Sequence, residues 1–237
     1  MAEERNWKRI SERLPLQLPV RIRVRETPDF EWTEMTRLIN VTPFGAGFTL
    51  KRPTEKGRLL HMTIPMPRQL RVFDHVEDQY RIWAVVRYIK AKVTDEGTVF
   101  QVGVAFIGKR PPASYEQQPW KRYEVTTPFQ TVGASENMLK LVPSEDQRTD
   151  TRHKIAVDMR VELLDADGRV VGSEHTVTED ISTRDATLFT TLEIPAGRFI
   201  RLTSERITAH AAVRSRSTGA DGVARIHVEF IDREWPL

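Results

Sequence analysis

Among the arginines that sit four residues apart in this chain are Arg9 with Arg13 and Arg148 with Arg152. A guanidinium is a planar fork of donors that grips phosphate oxygens two at a time and also stacks on flat rings. Two such groups on a short arm can clamp a small, doubly anionic ligand. Taken alone, either pair fits a solvated helix face equally well, because residues four apart are neighbours there. A second element downstream of each pair adds weight: Asn40-Val-Thr42-Pro-Phe-Gly45 after the first, and Asp180-Ile-Ser182-Thr-Arg-Asp185 after the second. To within one residue, Arg13 lies as far ahead of Asn40 as Arg152 lies ahead of Asp180. Asp180 or Asn40 can face the edge of a purine. Asp accepts from two donors there, whereas Asn accepts with one end and must turn its donor elsewhere. The hydroxyls of Thr42 and Ser182 add neutral hydrogen bonds, and Gly45 permits a close backbone approach and a strained φ. Asn40, Thr42 and Gly45 also fit an ordinary loop-to-strand turn.

Other chemistries find little support. Cysteine is absent, which removes disulfides, thiolate metal sites and cysteine nucleophiles together. The six histidines, at 61, 75, 153, 175, 210 and 227, include no pair at metal-ligand spacing. Gly45 and Gly47 make a G-x-G, but Leu50 holds the third position and strands follow, so this is no dinucleotide fold. Neither a nucleophile elbow nor a phosphate-cradling loop is present. The 36 Lys and Arg against 33 Asp and Glu leave a net charge of +3, small for a general nucleic-acid binder. The basic residues cluster early, at Arg5, Lys8, Arg9, Arg13, Arg21, Arg23 and Arg25. That pattern favours a small anionic ligand over a long polyanion. No apolar run is long enough for a membrane span, and the polar start lacks the apolar stretch of a secretory signal. The expectation is a cytoplasmic binding protein rather than an enzyme, with no cofactor, no metal and no nucleic acid.

The elements that must position these residues read as strands. In 18–25, Val20, Ile22 and Val24 alternate with Arg21, Arg23 and Arg25, a period of two that puts the apolar set on one face. Similar runs occupy 85–93, 98–108, 157–164, 208–216 and 223–231. Turns at 94–97, 165–168 and 219–222 each end in Gly, as tight hairpins require. Short strands joined this way describe an antiparallel barrel or sandwich. Between Pro111 and Pro143 the chain turns rich in Pro, Gln, Ser and Thr. This is a linker with room for a short helix and no strong strand pattern.

The chain also repeats itself. WAVVRY at 83–88 matches HAAVRS at 210–215, and VGVAF at 102–106 matches IHVEF at 226–230. With the two motifs, four elements recur in order, so the reading is a domain at 1–112, a linker at 113–143 and a second domain at 144–237. About fifteen extra residues in the first copy are assigned to 65–79.

At this point the chain resembles the PilZ family, which pairs RxxxR on an N-terminal arm with [D/N]xSxxG at a strand pair of a small barrel. The resemblance implies an all-β fold of two six-stranded antiparallel PilZ-type barrels in tandem. It implies cyclic di-GMP as ligand, held by Arg9, Arg13, Asn40, Thr42 and Gly45 in the first domain and by Arg148, Arg152, Asp180 and Ser182 in the second. It further implies a receptor whose arm closes on the ligand and resets the domain geometry, signalling to a protein partner not yet identified. The alternative is a structural or adaptor pair that binds protein without nucleotide. The first copy departs mildly, with Asn for Asp and Thr for Ser. The second has Asp185 where the family has Gly, which adds a Cβ and a negative charge beside the expected phosphates.

Overall fold

A computed structural model of the chain describes residues 14–126, 140–144 and 150–237. Arg9, Arg13 and Arg148 lie outside the described residues. Strand β1 (Pro19–Thr27) pairs with β2 (Phe30–Thr42), β2 with β3 (Gly45–Leu50), and β3 with β6 (Gly97–Gly108). Strand β6 pairs with β5 (Tyr80–Thr94), β5 with β4 (Leu59–Ile64), and β4 with β1, which closes an antiparallel barrel of six strands. The second barrel repeats this order with β9 (Asp158–Leu164), β10 (Val170–Ile181), β11 (Asp185–Phe189), β12 (Phe199–Thr203), β13 (Thr208–Thr218) and β14 (Ala224–Phe230). Closure leaves neither sheet with a bare edge.

Each barrel is filled by the inward half of its alternating pattern. Val20, Ile22, Val24, Phe48, Phe100 and Val102 are fully buried in the first, and Val161, Ile181, Leu188, Ile200, Ile226 and Val228 in the second. The three glycines that end the hairpin turns, Gly97, Gly168 and Gly222, all adopt positive φ. The extra residues of the first copy lie mainly in the 65–79 loop, which includes a 3-10 turn at Arg68–Leu70. A few more lengthen the β5–β6 hairpin.

The linker departs from the strandless reading. A 3-10 turn at Ala113–Tyr115 provides the short helix, but β7 (Tyr123–Thr126) and β8 (Lys140–Pro143) then pair as a two-stranded sheet. Tyr115 and Tyr123 pack with Leu59, Trp83 and Val85 on the outside of the first barrel, so this segment is fastened down.

The barrels meet across buried charge. Glu26, fully buried, accepts from Trp32 Nε1 (2.7 Å), Arg52 Nη2 (3.1 Å), Arg198 Nε (3.1 Å) and the Phe199 amide (3.2 Å). Glu55 accepts from Arg58 of its own barrel and from Arg214 of the other, and Arg122 pairs with Glu229. The Arg198 guanidinium lies 3.5 Å from the centre of the Phe30 ring. Gly197, at φ +93°, comes so close that a Cβ there would fall 2.3 Å from the Glu26 carbonyl oxygen and 2.6 Å from Trp120 Cβ.

Candidate functional site

The two motifs occupy the same corner of each barrel, where the β2–β3 or β10–β11 turn meets the incoming arm. Leu14 exchanges two backbone hydrogen bonds with Val41, and His153 does the same with Ile181. Leu14 and His153 therefore enter their barrels at one register. Strand pairing then sets Asn40 opposite Gly47 and Gly47 opposite Gly103. In the second barrel, Asp180 stands opposite Thr187, and Thr187 opposite His227.

Within the turns, the hydroxyls serve the backbone. Thr42 Oγ1 accepts from the Phe44 amide at 3.2 Å, and Ser182 Oγ accepts from the Arg184 and Asp185 amides at 3.1 and 3.0 Å. This is a turn in which a side-chain hydroxyl stands in for backbone. Gly45 differs from its expected role. Its φ is not positive, and a Cβ there would lie 2.3 Å from the Val104 carbonyl oxygen. The glycine is required by the neighbouring strand rather than by a strained conformation.

In the second barrel the site is filled by its own side chains. Arg152 Nη1 lies 3.1 Å from Asp180 Oδ1, and Nη2 lies 2.9 Å from Asp185 Oδ1. The same guanidinium donates to His227 Nε2 and reaches Thr187 Oγ1 at 3.4 Å. His227 Nε2 is 3.8 Å from Asp185 Oδ2, and Ser182 Oγ donates to Asp185 Oδ1 at 3.1 Å. The Asp185 carboxylate, expected to crowd a ligand, instead holds the arginine that was assigned to that ligand.

Among the described residues, the first barrel has no such set of ion pairs. Where the second carries Asp185, Thr187 and His227, the first carries Gly45, Gly47 and Gly103, three positions without side chains in adjoining strands. Beside Gly47 lies Asn40, whose Oδ1 is 3.2 Å from where a Gly47 Cβ would be. Over Gly103 lies the ring of Tyr88, so close that a Cβ at Gly103 would come within 1.9 Å of it, and Tyr88 is still 41% exposed. The missing side chains let Asn40 and the Tyr88 ring settle over Gly47 and Gly103, and the amide with the partly exposed ring face suits a flat ligand that stacks and hydrogen-bonds. Tyr88 and Gly103 were not singled out from sequence, and Gly47 only as part of a G-x-G that was set aside. The WAVVRY and VGVAF repeats already aligned Tyr88 with Ser215 and Gly103 with His227, but only strand pairing brings these positions beside Asn40.

No family model matches the chain. No curated protein matches it either. Among solved structures, it is similar to the inhibitor of motility MotI/DgrA of Bacillus subtilis, at 12% identity over 93% of this chain and 90% of that one, with a TM-score of 0.31. It is similar to the Borreliella burgdorferi PlzA protein in complex with c-di-GMP, at 10% identity over 94% and 84%, with a TM-score of 0.29. It is also similar to YcgR from Escherichia coli in complex with c-di-GMP, at 12% identity over 91% and 76%, with a TM-score of 0.27. At such scores the likeness carries no argument, and the fold stands on the strand pairing itself. Among the described residues, no helix is long and apolar enough to cross a membrane.

Proposed function

We propose that this chain is a cyclic di-GMP receptor and that the first barrel holds the ligand. The observation that carries the reading is the contrast between the two copies of one site: a glycine strip beside Asn40 and Tyr88 in the first, and a closed set of ion pairs around Arg152 in the second. In this reading Arg9 and Arg13 clamp the phosphates, Asn40 meets a guanine edge, and Tyr88 offers its ring to a base. Thr42 and Gly45 position the turn rather than touch the ligand. The second barrel acts as a structural brace, because a ligand there would have to displace Asp180, Asp185 and His227 from Arg152. Binding closes the N-terminal arm while the buried pairs keep the barrels joined, and the closed arm is what a protein partner reads.

Calorimetric titration with cyclic di-GMP, with GMP as control, tests this. Wild type is expected to bind the dinucleotide and not GMP. Arg9→Ala with Arg13→Ala should weaken binding at least about tenfold, since each charge-assisted hydrogen bond is worth roughly 1.5–3 kcal/mol. Arg152→Ala should leave binding unchanged. Absence of binding in wild type, or its loss in Arg152→Ala alone, overturns the assignment.

A further inference from the structure

On the outside of the first barrel, β1, β4 and β5 lie side by side. Pairing sets Arg21 opposite Thr63 and Arg23 opposite His61, then Thr63 opposite Arg81 and His61 opposite Trp83. Their strand neighbours Val20, Ile22, Val24, Met62, Ile64 and Ile82 fill the core, so alternation turns the arginines outward. Arg21 and Arg81 are exposed and Arg23 is half-buried. Among the described residues, none of the three makes a hydrogen bond or an ion pair. Across β2 the adjoining residues are Thr33 and Met35, and Met35 is 66% exposed. At the end of the row the charge is met, where Arg25 pairs with Glu116 at 2.7 Å and stands opposite the exposed Glu31 of β2.

The second barrel serves as an internal control. Its matching residues pair Arg160 opposite Thr203 and Glu162 opposite Arg201. There Glu162 neutralises both cations, with Arg201 Nε at 2.6 Å and Arg160 Nε at 3.6 Å. The architecture therefore accepts an acid at the centre of this face, yet the first barrel keeps Arg23 where the second has Glu162. The local field is strong enough to register on His61. Burial first, then Arg23, Arg21 and Arg81, push its pKa down to about 4.

We propose that this face of β1, β4 and β5 is a docking surface for an acidic, partly apolar segment of a partner protein. Outward side chains along a strand repeat at about 6.6–6.8 Å, and an extended acidic segment presents its alternate carboxylates at that same period. Arginine with an exposed methionine, and no lysine, is the composition of protein interfaces. A nucleic-acid backbone would leave Met35 without a use. The surface lies apart from the glycine strip and does not depend on the nucleotide reading.

Fluorescence anisotropy on the full chain tests it. The probes are a labelled peptide of about twelve residues alternating Glu with Leu, its Lys counterpart, and a single-stranded oligothymidylate. The Glu peptide should bind wild type and the Lys peptide should not. Affinity for the Glu peptide should fall about tenfold in Arg21→Glu with Arg23→Glu and severalfold in Arg81→Gln, with cyclic di-GMP titration unaltered. Failure of the Glu peptide to bind wild type, or equal binding by the variants, overturns the proposal. So does oligothymidylate binding that these variants abolish while the peptide is ignored. Should the double variant melt early, Arg81→Gln alone carries the test.

Discussion

At the scale of single residues, the two copies of the site differ in the side chains their matched positions carry. Tyr88→Ser gives the first barrel the residue its partner carries at Ser215. Base-to-aromatic stacking is worth roughly 1–3 kcal/mol, so affinity for cyclic di-GMP should fall about tenfold by calorimetry, with the melting temperature nearly unchanged because the ring is open to solvent. Asp185→Gly removes a carboxylate that binds both Arg152 and the Ser182 hydroxyl. With the first site silenced by Arg9→Ala and Arg13→Ala, this change should let the second barrel gain measurable affinity. If no heat appears, Asp180 and His227 are enough to keep Arg152 occupied. The sequence made the spacing of Arg152, Asp180 and Ser182 legible, because spacing within an arm and a turn is local. It also made the charge at Asp185 legible, but not its partner. A carboxylate beside a phosphate and one beside a waiting arginine look alike until His227, from a distant strand, is seen to complete the set.

At the scale of elements, the strands with clean alternation and the hairpins ending in Gly97, Gly168 and Gly222 were readable because each signal sits within a few residues. The β7–β8 pair was not. Each strand has only four residues, too short for a period of two to stand out, and their pairing bridges a long intervening stretch. The turn ahead of β12 was also passed over, although its Gly197 leaves no room for a Cβ against Glu26 and Trp120. Gly197→Ala should strain a positive φ and drive a methyl group into Glu26 and Trp120. A loss of about 1–3 kcal/mol is expected, read as a lower midpoint in thermal or urea unfolding. An unchanged midpoint would mean that the barrels can part slightly without penalty.

At the scale of the whole molecule, the barrels are held by carboxylates shared between arginines of both. Burial alone would raise the pKa of Glu55, but Arg214 and Arg58 outweigh it and bring it to about 2. A carboxylate depressed in the folded state contributes stability that is complete above its ordinary value of 4.5 and is lost as pH falls toward 2. Acid titration followed by tryptophan fluorescence should therefore show a transition between those limits. Glu55→Gln should lower stability at neutral pH and flatten that part of the curve; an unaltered curve would exclude Glu55 as its source. The same sharing bears on how the chain is made. Glu26 and Glu55 leave the ribosome early, each with an arginine of its own barrel, Arg52 or Arg58, already at hand. Arg198 has no carboxylate from its own barrel among the described residues, only the Leu164 carbonyl, until it reaches Glu26. A buried cation left unpaired is costly, and Arg198 is covered by Glu26 and the Phe30 ring of the first barrel, so the half made last finds the partners for its buried charge on the half that translation makes first.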